Sequence, residues 1–146
     1  MIVSPPLVAF VKRWESCSLT VYPDARGIPT CGWGHAWPTN TPWTQAHADA
    51  VLATDLREHS EGLAHYLSRT PSQQQYDALV SLAFNCGVGA IGHSGLMSLF
   101  NRGADAECAN RFLQWNKSGG VVLNGLTKRR RAERDIYLNG IYTGSP

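Results

Sequence analysis

The sequence predicts a mostly helical α+β domain with one β-hairpin near its N-terminus. Apolar residues recur at helical spacing through most of the 146 residues. The exception is the β-prone run Leu19-Thr20-Val21-Tyr22, which ends on the turn signal Pro23-Asp24-Ala25-Arg26-Gly27. No internal repeat or low-complexity linker divides the chain, and its length is about that of one domain. The expected organisation is therefore a single unit over 1–146. A small lobe with the hairpin takes about residues 16–43, and a larger helical lobe takes about 71–146 plus the N-terminal helix.

Each element has a local cause. Ser4 caps a first helix with proline in its first turn and Leu7, Phe10, Val11 and Trp14 on one face. The period breaks after Glu15, where Ser16, Cys17 and Ser18 favour a turn. Residues 19–35 read as the hairpin, with Ile28–His35 as its returning strand. The segment Ala36–Pro42 is loop. Thr44 then caps a helix running to about Leu67, with Ala48, Val51, Leu52, Leu56 and Leu63 on one face. Ser72 and Gln75 form a capping box ahead of a helix that is apolar nearly all round, as a buried central helix is. Either this helix or the one before it would link the lobes. Gly87, Gly89, Gly92 and Gly95 break the next stretch into short helices. Two further amphipathic helices are expected over Ala104–Trp115 and Thr127–Asn139, separated by Gly119-Gly120 and Gly125.

Composition excludes several classes. Apolar residues make up 43% and charged residues 16% of the chain, against intrinsic disorder and against a coiled coil. The longest apolar runs, such as Leu7–Val11, are far short of the ~20 residues of a membrane span, so no stable membrane insertion is expected. No basic leader precedes an apolar stretch, so no signal peptide is expected and the protein would be made in a cytoplasm. Cys17, Cys31, Cys86 and Cys108 form no C-x₂-C pair and give a zinc site little support. They read as small apolar residues, with a Cys17–Cys31 bridge across the hairpin as the sharper alternative. Residues 74–146 carry eight basic and five acidic side chains, which suits a polyanionic partner without naming one.

Two carboxylates stand out by position. Glu15 falls in the last turn of the first helix and Asp24 in the hairpin turn nine residues on. A hairpin folding back over the helix end could place both around one cleft, with Thr30 on the returning strand. Glycosidic bond cleavage needs such a pair, one acid protonated for the leaving oxygen and one ionised toward water. The partial negative charge of a helix C-terminus disfavours an ionised Glu15. Asp24, in a wet turn, would stay charged. The plain alternative is a solvated glutamate at a helix end and an aspartate that merely favours its turn.

The order of motifs carries a resemblance. Glu15, Asp24 and Thr30, followed directly by Cys31-Gly32-Trp33-Gly34-His35, resemble the signature of the phage-type lysozymes, glycoside hydrolase family 24. Gln75–Gly87, Ser94–Met97 and Gly125–Glu133 match in order, so the likeness covers roughly residues 12–138. Cys17, Cys31, Trp33 and the Pro- and Trp-rich loop Ala36–Trp43 depart from the pattern.

The resemblance implies a lysozyme-like fold and an endolysin. Such an enzyme hydrolyses the β-1,4 bond between N-acetylmuramic acid and N-acetylglucosamine in bacterial peptidoglycan, with inversion and without metal or cofactor. Glu15 becomes the general acid, Asp24 positions or deprotonates the attacking water, and Thr30 helps hold that water. Arg129 matches an arginine that pairs with the catalytic glutamate, with Arg130 as the fallback. His35 matches a residue that hydrogen-bonds or ion-pairs within the small lobe. Phe84, Asn85 and Ser94 match substrate contacts. Trp33, Trp37 and Trp43 could stack on sugars or pack the small lobe. Lys128 and Arg131 would face outward toward an anionic wall.

With no leader expected, such an enzyme would be held in the host cytoplasm until release and then act on the periplasmic wall. A monomer that binds no nucleic acid is the expectation. A lytic transglycosylase on the same bond and an inactive wall-binding module are the competing readings.

Overall fold

Two apolar clusters of unequal size organise the chain, and one helix feeds both. A computed structural model describes residues 1–146. Helix α1 spans Pro5–Glu15, capped by Ser4, whose side chain accepts the Leu7 N–H. It buries Leu7, Phe10 and Val11 and stops at Ser16, where φ is 57° and the chain turns sharply into the small lobe.

That lobe holds a three-stranded antiparallel sheet of β1 (Ser18–Pro23), β2 (Pro29–Gly32) and β3 (His35–Ala36), in that order. The expected single hairpin is corrected here. The returning segment Ile28–His35 is not one strand, because the chain reverses at Trp33-Gly34 and pairs Cys31 with His35. Gly32 and Gly34 have φ of 64° and 90°, a region open to glycine at little cost. A Cβ on Gly32 would also lie 2.9 Å from the Trp43 ring, which with Cys31 and Ala48 forms the small core of this lobe.

Helix α2 spans Gln45–Ala64 and is capped by Thr44, whose side chain accepts the His47 N–H. It ends three residues before the expected limit. Its first turns place Ala48 in the small core, and Leu52, Leu56 and Leu63 join the main core. Of the two candidates for linking the lobes, α2 is therefore the one that does so. Asp49 on α2 strengthens the join, accepting from Trp33 Nε1 at 2.8 Å and pairing with Lys12 of α1 at 3.1 Å.

Helix α3 spans Gln73–Cys86, with the capping box of Ser72 and Gln75 complete. Every residue from Tyr76 to Ala83 is buried, as the near-continuous apolar pattern required. The short helices α4 (Val88–Gly92) and α5 (Gly95–Asn101) follow the glycines, then α6 (Asp105–Arg111) and a 3₁₀ turn over Phe112–Gln114. A second, two-stranded sheet of β4 (Lys117–Ser118) and β5 (Val121–Val122) was not expected. Gly119 and Gly120, both at positive φ, make its two-residue turn. Helix α7 spans Asn124–Asn139, three residues longer at its start than expected, and ends at Gly140 in the left-handed conformation.

All four cysteines are free, so the Cys17–Cys31 bridge does not form. Trp43 is core, Trp33 is held by Asp49, and Trp37 is exposed.

The two ends of the chain meet on buried Asp77 of α3. Its carboxylate accepts the Ser4 N–H at 3.2 Å and the Tyr142 hydroxyl at 2.6 Å. Burial, and then donation to Asp77, pushes the Tyr142 phenol up to about 12. A folded-state value above the unfolded one means this contribution is complete below about pH 10 and fades as pH climbs toward 12. Tyr142→Phe is expected to lower stability near neutrality by about 1 kcal/mol. It should also flatten the alkaline fall in stability between pH 10 and 12, as read by urea unfolding across that window.

Candidate active site

Glu15, Asp24 and Thr30 arrive from three different local structures at one cleft of about 480 Å³. The last turn of α1 supplies Glu15, the turn between β1 and β2 supplies Asp24, and β2 supplies Thr30. The cleft is also lined by His35 of β3, Asp55 and His59 of α2, and Phe84 and Asn85 from the end of α3.

Glu15 is held by one oxygen. Its Oε1 accepts from Arg129 Nη1 at 2.6 Å. Its Oε2 lies beside Gly34, where a Cβ would approach it to 3.0 Å. The positive φ of Gly34 thus lets the chain turn, and its missing side chain leaves room for the carboxylate.

Arg129 in turn belongs to a buried charged cluster. Its Nε donates to Glu133 Oε1 at 3.3 Å, and Ser81 of α3 donates to the same oxygen at 2.6 Å. Arg130 Nε lies 2.8 Å from Glu133 Oε2, and Arg130 Nη2 donates to Asn85 Oδ1 at 2.7 Å. Burial works against the charge on Arg129, but the Glu133 and Glu15 carboxylates outweigh it and hold the guanidinium above its ordinary value. Arg129 and Arg130 both face inward, and Lys128 and Arg131 are exposed.

Asp24 sits in a different setting. Its Oδ1 accepts the backbone N–H of Ile28 at 2.9 Å and of Arg26 at 2.8 Å. The Ile28 bond is the main cause that keeps the carboxyl below its usual range, partly opposed by desolvation and helped by Arg26, so Asp24 is ionised at neutral pH. Thr30 is buried and donates its hydroxyl to the Ile28 carbonyl at 2.9 Å. Tyr22 also lines the cleft. Burial raises its phenol, and the Glu15 and Asp24 carboxylates add to the rise.

The other expected residues divide. His35 Nδ1 lies 2.8 Å from Asp55 Oδ2, so the contact ties β3 to α2. Phe84 is half-buried, packing on the main core with an edge on the cleft. Asn85 lines the cleft with its Oδ1 already taken by Arg130. Ser94 lies outside the lining residues. It caps α5, accepting the Met97 N–H and donating to the Ile91 carbonyl, which is what serine at a helix start does best. Glu133, Tyr22, Asp55 and His59 were not anticipated. Only Glu133 carried a signal, its i+4 and i+3 spacing from Arg129 and Arg130.

A family model for phage lysozyme matches residues 12–133. The chain belongs to the phage lysozyme family. An endolysin of Bacillus phage B103 is 36% identical over 96% of this chain and 55% of its own length. The chain thus spans about half the length of that relative. The endolysin of Salmonella phage P22 is 32% identical, over 95% of this chain and 99% of its own. Among solved structures, an endolysin from Escherichia coli O157:H7 phage FAHEc1 superposes with a TM-score of 0.89. That match has 31% identity and covers 98% of this chain and 97% of the other. This phage lysozyme family member has the lysozyme-like α+β fold, with its acids at the junction of the two lobes.

Removing the Glu133 charge leaves the buried Arg130 without a carboxylate and Arg129 with Glu15 alone, a change that costs about 3–5 kcal/mol. Glu133→Gln is expected to lose that much stability, and Ser81→Ala about 1–3 kcal/mol. Urea unfolding of the two variants checks both figures. A Glu133→Gln loss under about 1 kcal/mol would show that the arginines do not depend on this carboxylate.

Proposed function

We propose that the protein is an endolysin that hydrolyses the β-1,4 bond between N-acetylmuramic acid and N-acetylglucosamine in bacterial peptidoglycan. The observation that carries this reading is the shared cleft, where Glu15 and Asp24 are held in contrasting ways. Glu15 acts as general acid. Arg129 engages Oε1, which leaves Oε2 to face the leaving oxygen. Asp24, held ionised by two backbone N–H groups, orients and deprotonates a water, and Thr30 helps hold it. Water attack on the face opposite the leaving oxygen inverts the anomeric centre, as in enzymes that keep room for water between two carboxyls. His35 and Arg129 act by positioning, and Phe84 and Asn85 contact sugar. Exposed Lys128 and Arg131 favour an anionic wall.

No helix is long and apolar enough to cross a membrane. In the same proposal the protein waits in the host cytoplasm and reaches the periplasmic wall once the membrane is breached.

Purified peptidoglycan tests this directly. The parent is expected to release products one water heavier than the bond cleaved, with the α-anomer first by NMR. Anhydro ends would instead assign a transglycosylase, and no release at all would leave a wall-binding module. Glu15→Gln keeps the acceptor for Arg129 but removes the acid, so a fall of about 10²–10⁴-fold in rate is expected. Asp24→Asn should lose at least about 10²-fold. Equal turnover by parent and Glu15→Gln would sink the assignment.

A further inference from the structure

We propose that His59 is a substrate-binding residue of this cleft, accepting a secondary-amide N–H at its Nε2. The inference rests on the reading above that peptidoglycan occupies the cleft. It begins with the hydrogen bond on the other ring nitrogen. His59 Nδ1 lies 2.6 Å from the Asp55 carbonyl oxygen, one turn back on α2. A carbonyl can only accept, so Nδ1 is the ring nitrogen that carries the proton, and Nε2 is left as the acceptor. No group of the protein bonds to that Nε2.

The ring is also fixed in direction. It packs on Phe84 with centroids 5.1 Å apart and planes at 56°, and both rings lie on the cleft wall, half-buried. An aromatic edge beside a single acceptor suits a small amide, whose apolar part rests on Phe84 while its N–H points at the imidazole. Two neighbouring side-chain acceptors are already engaged. Asn85 Oδ1 takes a bond from Arg130, and Asp55 Oδ2 is held by His35. The Glu15 and Asp24 carboxylates serve the reaction. His59 Nε2 is thus an uncommitted acceptor beside Phe84. Peptidoglycan offers the matching donor twice, in the acetamido groups of its sugars and in the amides of its stem peptides.

The variants are His59→Phe, which keeps an aromatic ring against Phe84 without the acceptor, and His59→Gln, which restores an acceptor. With soluble peptidoglycan strands, His59→Phe is expected to raise KM about five- to tenfold with kcat within about twofold of the parent. His59→Gln should recover part of the loss, which a purely structural role would not produce. Strands stripped of stem peptides by an amidase separate the two donors. A KM effect that persists assigns the acetamido N–H, and one that vanishes assigns the stem-peptide amide. An unchanged KM for His59→Phe on intact strands, with its circular dichroism like the parent's, overturns the inference while leaving the hydrolase reading intact. Titration of the same strands into Glu15→Gln and Glu15→Gln/His59→Phe decides the matter without turnover. A five- to tenfold weaker affinity in the double variant upholds His59 even if the parent proves inactive. Equal affinities, or no binding by either, overturn it.

Discussion

A buried charged cluster constrains how the helices of this molecule fit together. Arg130 and Glu133 are fully buried and Arg129 nearly so, and ions removed from water cost several kcal/mol each unless neighbours compensate. The compensation is specific. Glu133 faces both arginines, Ser81 and Asn85 of α3 bond to the cluster, and Glu15 of α1 completes it. Helices α1, α3 and α7 therefore have one good arrangement with respect to one another. The carboxylate that faces the cleft is an outlying member of the same set.

Helix α2 supplies Asp55 and His59 to the cleft. A single helix that contributes to both cores makes the separation of the lobes a property of its own length and straightness. Asp49 reaches back to α1 and the β2–β3 turn, and two turns further on Asp55 reaches His35 and His59. The cleft is thus lined by the α1 terminus and the hairpin turn together with side chains of β3, α2 and α3. Glu15 and Asp24 meet different electrostatics because they sit on different supports. One is a helix end beside a guanidinium, the other a turn whose own amides point at the carboxylate.

Much of this was legible in the residues because the causes are local. Ser4, Thr44 and Ser72 announced three helices, and each side chain caps as its type does. The turn at Pro23–Gly27 and the helix end at Glu15 were enough to bring the two acids to one region. Where the pattern misled, the reason is physical. Gly32 and Gly34 read as strand residues between larger neighbours, but their positive φ reverses the chain. Gly119-Gly120 was read as a separator, although a Gly-Gly pair between two short runs is itself a hairpin signal. Glu133 looked like one charge among many on a polar helix, because its burial is decided by α3, some fifty residues earlier in sequence. Asp55 and His59 carried no pattern, since their roles arise only when α2 crosses in front of β3 and α3.

The absence of any cross-link between the four thiols has its own consequence. No covalent tie spans the lobes or closes a loop, so cohesion comes wholly from packing, ion pairs and hydrogen bonds. Those terms are indifferent to glutathione. A chain held together in this way keeps one architecture on either side of a boundary between reducing and oxidising surroundings. Its fold requires no disulfide to form.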